Sequence, residues 1–139
     1  MKKLLSILLA AVMLLSFAAC TKNETSTDVQ ITAGDNVAIT EVGEGETSFE
    51  FTVVDADGNT KYYNVSTDKK TVGEALLDAN LISGENGAYG LYVKTVSGIT
   101  YDYEKDGKYW AFYVDGAYAS AGVDATPINV GAEYAFKAE

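Results

Sequence analysis

The chain has 139 residues and a formal charge of −10, from 20 acidic residues against 10 basic ones. All the basic residues are lysine, histidine is missing, and there is one cysteine. The acidity repels phosphate backbones and argues against nucleic-acid binding. Without histidine, imidazole-based nucleophile activation and imidazole ligation of metals or haem are excluded, and a lone cysteine forms no internal disulfide.

Met1, Lys2 and Lys3 form a positive start, and residues 4–15 are an apolar run broken only by Ser6. That run is short for a membrane span. Ser16-Phe17-Ala18-Ala19-Cys20 then places small residues directly before the only cysteine. The segment resembles a bacterial lipoprotein signal peptide over residues 1–19, with Cys20 as the lipid-modified first residue of the mature chain. Two acyl chains suffice for stable anchoring, so the expectation is an extracytoplasmic protein lipid-anchored to the bacterial cell membrane. The alternative is a buried helix ending in a core cysteine.

Residues 20–47 are polar, rich in Thr, Asp, Glu, Asn and Gly, and read as a flexible linker. Within them, Val37-Ala38-Ile39-Thr40 is the alternative, an added edge strand. The folded domain is expected over residues 48–139.

Phe49, Phe51 and Val53 alternate with Glu50, Thr52 and Val54, which predicts a strand with one apolar face. Asp55-Ala56-Asp57-Gly58-Asn59-Thr60 follows as a hairpin turn, and residues 61–66 resume as a strand. A calcium loop fails on Asp55, Asp57 and Asn59, because Gly58 comes too early and no distal glutamate completes a cage. Thr71-Val72-Gly73-Glu74 has the spacing of a capping box. Val72, Ala75, Leu76 and Ala79 then fall on one face of a short helix that Asn80 can close.

Residues 83–90 read as a glycine-rich loop, without the Lys-Ser/Thr ending of a phosphate loop. Residues 91–96 and 99–103 read as strands around Ser97-Gly98, and residues 104–108 as a charged turn. Residues 109–116 hold the only tryptophan in the densest aromatic run. As a strand they place Trp110, Phe112 and Val114 on one face and Tyr109, Ala111 and Tyr113 on the other. One face can enter a core while the other presents rings, which points to binding and away from catalysis. Plain core packing is the alternative for Trp110, and a half-buried sheet face for the tyrosines. A looser run containing Pro127 leads to a last strand with Tyr134 and Phe136 on one face. This order predicts an α+β domain: a β-grasp-like mixed sheet packed on one helix.

Residues 71–76 (Thr-Val-Gly-Glu-Ala-Leu), 90–99 (Gly-Leu-Tyr-Val-Lys-Thr-Val-Ser-Gly-Ile) and 109–116 (Tyr-Trp-Ala-Phe-Tyr-Val-Asp-Gly) occur in that order. With Gly122-Val123, Pro127-Ile128 and Gly131 after them, they resemble the transcobalamin-like C-terminal domain of bacterial surface proteins and animal cobalamin carriers. The likeness implies a β-grasp-like fold that closes over one face of a corrinoid. It nominates Gly90, Leu91, Tyr92 and Val93 from the first wall, and Trp110, Tyr113, Tyr118, Ala119 and Ser120 from the second. The implied ligand is cobalamin or another flat small molecule, held by shape and hydrogen bonds, with no covalently bound cofactor. A partner surface protein is a further expectation. Two alternatives stand beside this: a structural or adhesive module that binds protein or glycan through the same aromatics, and a metal-binding protein built on carboxylates. Enzyme activity is not expected.

Overall fold

A computed structural model describes residues 37–139. The signal segment, Cys20 and most of the expected linker lie outside those residues. Nine strands form two sheets among them. The larger combines β1 (Ile39–Gly43), β2 (Thr47–Val54), β3 (Thr60–Thr67), β7 (Trp110–Val114), β8 (Ala117–Tyr118) and β9 (Glu133–Ala138), in the order β1-β3-β2-β9-β7-β8. The smaller combines β4 (Ile82–Gly87), β5 (Gly90–Val96) and β6 (Ile99–Thr100), in that order. The domain is thus α+β with a mixed principal sheet, but a second sheet accompanies it where a single sheet was expected.

The hairpin between β2 and β3 closes where the sequence places it. Asp55 accepts from the backbone of Asp57 and Asn59 through Oδ1, each at 2.9 Å, and from Asn59 Nδ2 through Oδ2 at 2.8 Å. The Asn59 side chain and these amides hold the Asp55 carboxyl below its usual range. β1 pairs parallel with β3, so the principal sheet begins inside the segment read as linker. β9 returns to lie parallel to β2 and antiparallel to β7.

Helix α1 (Val72–Asp78) starts at the predicted capping box. Thr71 Oγ1 accepts from the Glu74 amide at 3.3 Å, and Glu74 Oε2 accepts from the Thr71 amide at 3.4 Å. It ends in a Schellman arrangement, with Asn80 at φ 55 and the Leu81 amide donating to the Leu76 carbonyl at 2.9 Å. A second helix, α2 (Tyr103–Asp106), occupies the predicted charged turn. Asp102 caps its start and Gly107, at φ 64, ends it, which shortens the preceding strand to β6.

Residues 83–90 form no open loop. β4 pairs antiparallel with β5 through a bulge at Ser83/Gly84. The pairing depends on Gly84, where a Cβ would stand 2.0 Å from the Tyr92 carbonyl oxygen.

One core joins these layers. Phe49, Phe51, Val53, Val65, Tyr134 and Phe136 project from the principal sheet onto Val72, Ala75 and Leu76 of α1 and onto Val93 and Val96 of β5. Each large apolar side chain removed from water there contributes about 1.5–3 kcal/mol. The opposite face of the principal sheet carries Glu50, Thr52, Tyr62 and Asn64 and is uncovered by either helix of the domain.

Candidate functional site

Where β5 meets the β7–β8 end of the principal sheet, a groove of about 600 Å³ opens. β5 supplies Leu91, Tyr92 and Val93 to one wall. β7 supplies Trp110 and Phe112, and Tyr118, Ala119, Ser120, Ala121 and Gly122 continue the second wall. Phe136 and Val123 lie deeper, and Tyr89 reaches in from the β4–β5 turn.

The second wall follows from a tight hairpin. Asp115 and Gly116, at φ 50 and 78, make a turn that needs left-handed backbone at both central positions. β8 then pairs with β7 over only two residues, and the Ala119 amide donates to the Phe112 carbonyl at 3.0 Å. The small side chains from Ala119 to Gly122 leave the groove room beside Trp110.

Trp110 is both wall and core. It is 5% exposed, and its Nε1 donates to the Ile99 carbonyl at 3.1 Å. The rings at the rim are tyrosines: Tyr89 is fully exposed, Tyr118 is 58% exposed and Tyr92 is 44% exposed. No side chain lining the groove is charged. A charge stands nearby on Lys94, whose Nζ lies 5.9 Å from the centre of the Tyr92 ring. Glu85 pairs with that ammonium at 3.0 Å and holds its pKa above the ordinary value.

Of the residues nominated from sequence, Leu91, Tyr92, Val93, Trp110, Tyr118, Ala119 and Ser120 converge on this groove. Gly90 and Tyr113 do not line it. Gly90, at φ 106, turns the chain into β5 and sets the direction of Leu91. Tyr113 pairs with Ala135 and Tyr118 across the sheet and, by strand alternation, projects to the side opposite Phe112. There its ring lies 5.3 Å from that of Tyr118 and 4.6 Å from Lys137 Nζ, and its hydroxyl donates to Glu139 Oε1. The ring-bearing face expected from Tyr109, Ala111 and Tyr113 is therefore not the main groove face, although Tyr109 and Tyr118, the latter paired opposite Tyr113, reach the groove's rim from that side.

Tyr109 donates to Glu139 Oε2 at 3.2 Å. The neighbouring Tyr118 hydroxyl, and after it burial and the Glu139 carboxylate, push the Tyr109 phenol up to about 12. Glu139 likewise raises the Tyr113 phenol.

Sequence reasoning missed Tyr89, Ala121, Gly122 and Asp124. Asp124 sits in a 3₁₀ turn (Val123–Ala125) and accepts from the Leu91 amide through Oδ2 at 3.2 Å. Nothing in a lone Asp between Val and Ala signals this. Only the convergence of Gly73, Gly90 and Gly122 on it does, and that is visible in three dimensions. Among the described residues, no three His, Cys, Asp or Glu side chains group as metal ligands would.

The fold has counterparts of known structure. A candidate metal binding protein from Ruminococcus gnavus ATCC 29149 is 31% identical with a TM-score of 0.63, over 68% of this chain and 97% of that one. Haptocorrin in complex with Cbi gives a TM-score of 0.53 at 16% identity, over 67% of this chain and 25% of haptocorrin. The chain thus spans about a quarter of haptocorrin's length, and at that identity the likeness is one of fold. No curated protein matches the chain. The family model described as a domain of unknown function, DUF4430, matches residues 69–139. That match contains α1, both walls of the groove and β9, and the chain belongs to the DUF4430 family.

Proposed function

We propose that this chain is a lipid-anchored surface protein, held through Cys20, whose groove binds a flat, largely apolar small molecule with a polar rim. A corrinoid such as cobalamin or cobinamide is the ligand class that fits best. The observation that carries this is an uncharged groove in a protein of net charge −10, ringed by the exposed side chains of Tyr89, Tyr92 and Tyr118. Its volume falls in the range of small-molecule sites. Ring faces and aliphatic walls can cover an apolar disc, while tyrosine hydroxyls and the backbone from Ala119 to Gly122 meet peripheral amides. The fold shared with haptocorrin, solved with Cbi, supports the same class. In this reading the groove covers one face of the corrin and leaves the other for a partner surface protein. The chemistry is binding without turnover. Metal binding, the description of the Ruminococcus gnavus protein, is the second reading, and a carboxylate-built site for it has no three-ligand grouping to start from among the described residues.

The test is a spectral titration of the purified protein with cobinamide and with cobalamin. A saturable change in corrinoid absorbance is expected, weakened in Tyr92→Ala and Tyr118→Ala while far-ultraviolet circular dichroism stays unchanged. No saturable change with the unmodified protein, up to the solubility of either corrinoid, sinks the proposal.

A further inference from the structure

Asp124 lies behind the groove, at a joint where three parts of the chain meet. Its Cα packs against α1, so closely that a Cβ on Gly73 would stand 2.7 Å from it. Its carboxylate fills the space between the start of β5 and the end of the second wall. A Cβ on Gly90 would come within 2.7 Å of Oδ2, and one on Gly122 within 2.8 Å of Oδ1. Oδ2 accepts from the Leu91 amide, whereas Oδ1 is buried with no hydrogen-bond partner.

A partly buried carboxylate with one inaccessible, unpaired oxygen is destabilising by itself. Its position shows what it gives in return. Leu91 heads one wall, and Gly122 and Val123 belong to the other. The Leu91–Asp124 hydrogen bond is a direct polar link between those walls. The 3₁₀ turn that carries it is itself fixed, since the Val72 amide donates to the Thr126 carbonyl at 2.9 Å and the Ile128 amide to the Lys70 carbonyl at 3.1 Å. One side of the joint is therefore rigid, and Asp124 transmits that rigidity to the corner bearing Tyr89, Gly90 and Leu91.

We propose that Asp124 is the positioning residue of the groove: its carboxylate sets the spacing of the two walls and the placement of Leu91 and Tyr89. The proposal rests on the groove being the binding site. The acceptor oxygen does the positioning, so Asp124→Asn, which keeps an acceptor of the same reach, retains the spacing, and Asp124→Ala loses it.

Amide hydrogen exchange in the ligand-free protein and cobinamide titration test this together. In Asp124→Ala the Leu91 amide is expected to exchange faster while Val96, in the middle of the core, keeps its protection. Cobinamide affinity is expected to fall roughly tenfold, the scale of one hydrogen bond. Asp124→Asn should stay close to the unmodified protein on both readouts. Gly122→Ala gives the same test from the other side, because at φ −64 its backbone accepts a methyl, which displaces an intact carboxylate, and it stands in if Asp124→Ala does not fold. Unchanged Leu91 exchange in Asp124→Ala and Gly122→Ala overturns the proposal, and so do equal losses in the Asp124→Ala and Asp124→Asn variants, which assign the effect to charge. If cobinamide fails to bind the unmodified protein, the corrinoid reading falls, and the exchange measurement still decides the role of Asp124.

Discussion

Trp110 and Tyr101 lie ring against ring, with centroids 5.0 Å apart and planes at 47°, and the Trp110 indole is tied to the Ile99 carbonyl. β7 of the principal sheet is thereby fastened to the segment that leaves β6 of the smaller one. This fastening holds the only indole at the groove, so one side chain serves packing and wall together.

Replacing Trp110 by alanine is therefore expected to lower stability by about 3–5 kcal/mol, since it removes a buried aromatic together with its hydrogen bond to the Ile99 carbonyl. Urea unfolding followed by circular dichroism measures it. A loss under about 1 kcal/mol would show that the indole is not packed as described. The rim residues Tyr92 and Tyr118 are accordingly the better probes of ligand contact.

The tyrosines around Glu139 predict a dependence on alkaline pH. A phenol is neutral when protonated; Tyr109 keeps its proton to about 12 in the fold, whereas an unfolded tyrosine releases it near 10. Between those values the native state binds more protons. The stabilisation is complete below pH ~10 and is lost as pH rises through about 12. Tyrosinate absorbance should show phenols that titrate late, Tyr113 among them, and the latest of these disappears in Tyr109→Phe. Uniform titration of every tyrosine near 10 would refute the arrangement.

Gly84→Ala tests the smaller sheet. A methyl there meets the Tyr92 carbonyl oxygen at 2.0 Å, backbone against backbone, with no flexible group to yield. The expected cost is about 2–4 kcal/mol, with β4 separating from β5 and the Tyr92 amide losing protection in hydrogen exchange. A neutral effect on thermal unfolding would mean that the bulge at Ser83/Gly84 is not formed.

Features set by neighbours in the chain were legible before any coordinates. The Asp55–Asn59 turn, the Thr71/Glu74 box and the alternation of Phe49, Phe51 and Val53 each announce themselves within a few residues. Features set by distant partners were not. Ile39–Gly43 could be read only as an alternative, an edge strand at residues 37–40, because it is short and half polar and becomes a strand only where β3 offers a free edge to pair with. Ser83–Gly87 looks like loop because its glycines suit loops, yet one of those glycines is what lets two backbones approach closely. Seven of the nine nominated groove residues came together, since the quoted segments fix β5 and the β7–β8 hairpin. Tyr113 was misplaced because alternation says which residues share a face, and nothing local says which face meets the groove.

The strand order has a mechanical consequence. β1, through which the chain enters the domain, forms one border of the principal sheet, and β7 and β8 form the other. Four strand spacings separate β1 from β7, roughly 19 Å. Any pull exerted from the amino-terminal side is borne first by shear across the β1–β3 ladder, far from Trp110. The mouth of the groove is thus set apart from the point at which the chain enters the domain, and keeps its shape when that border strand is strained.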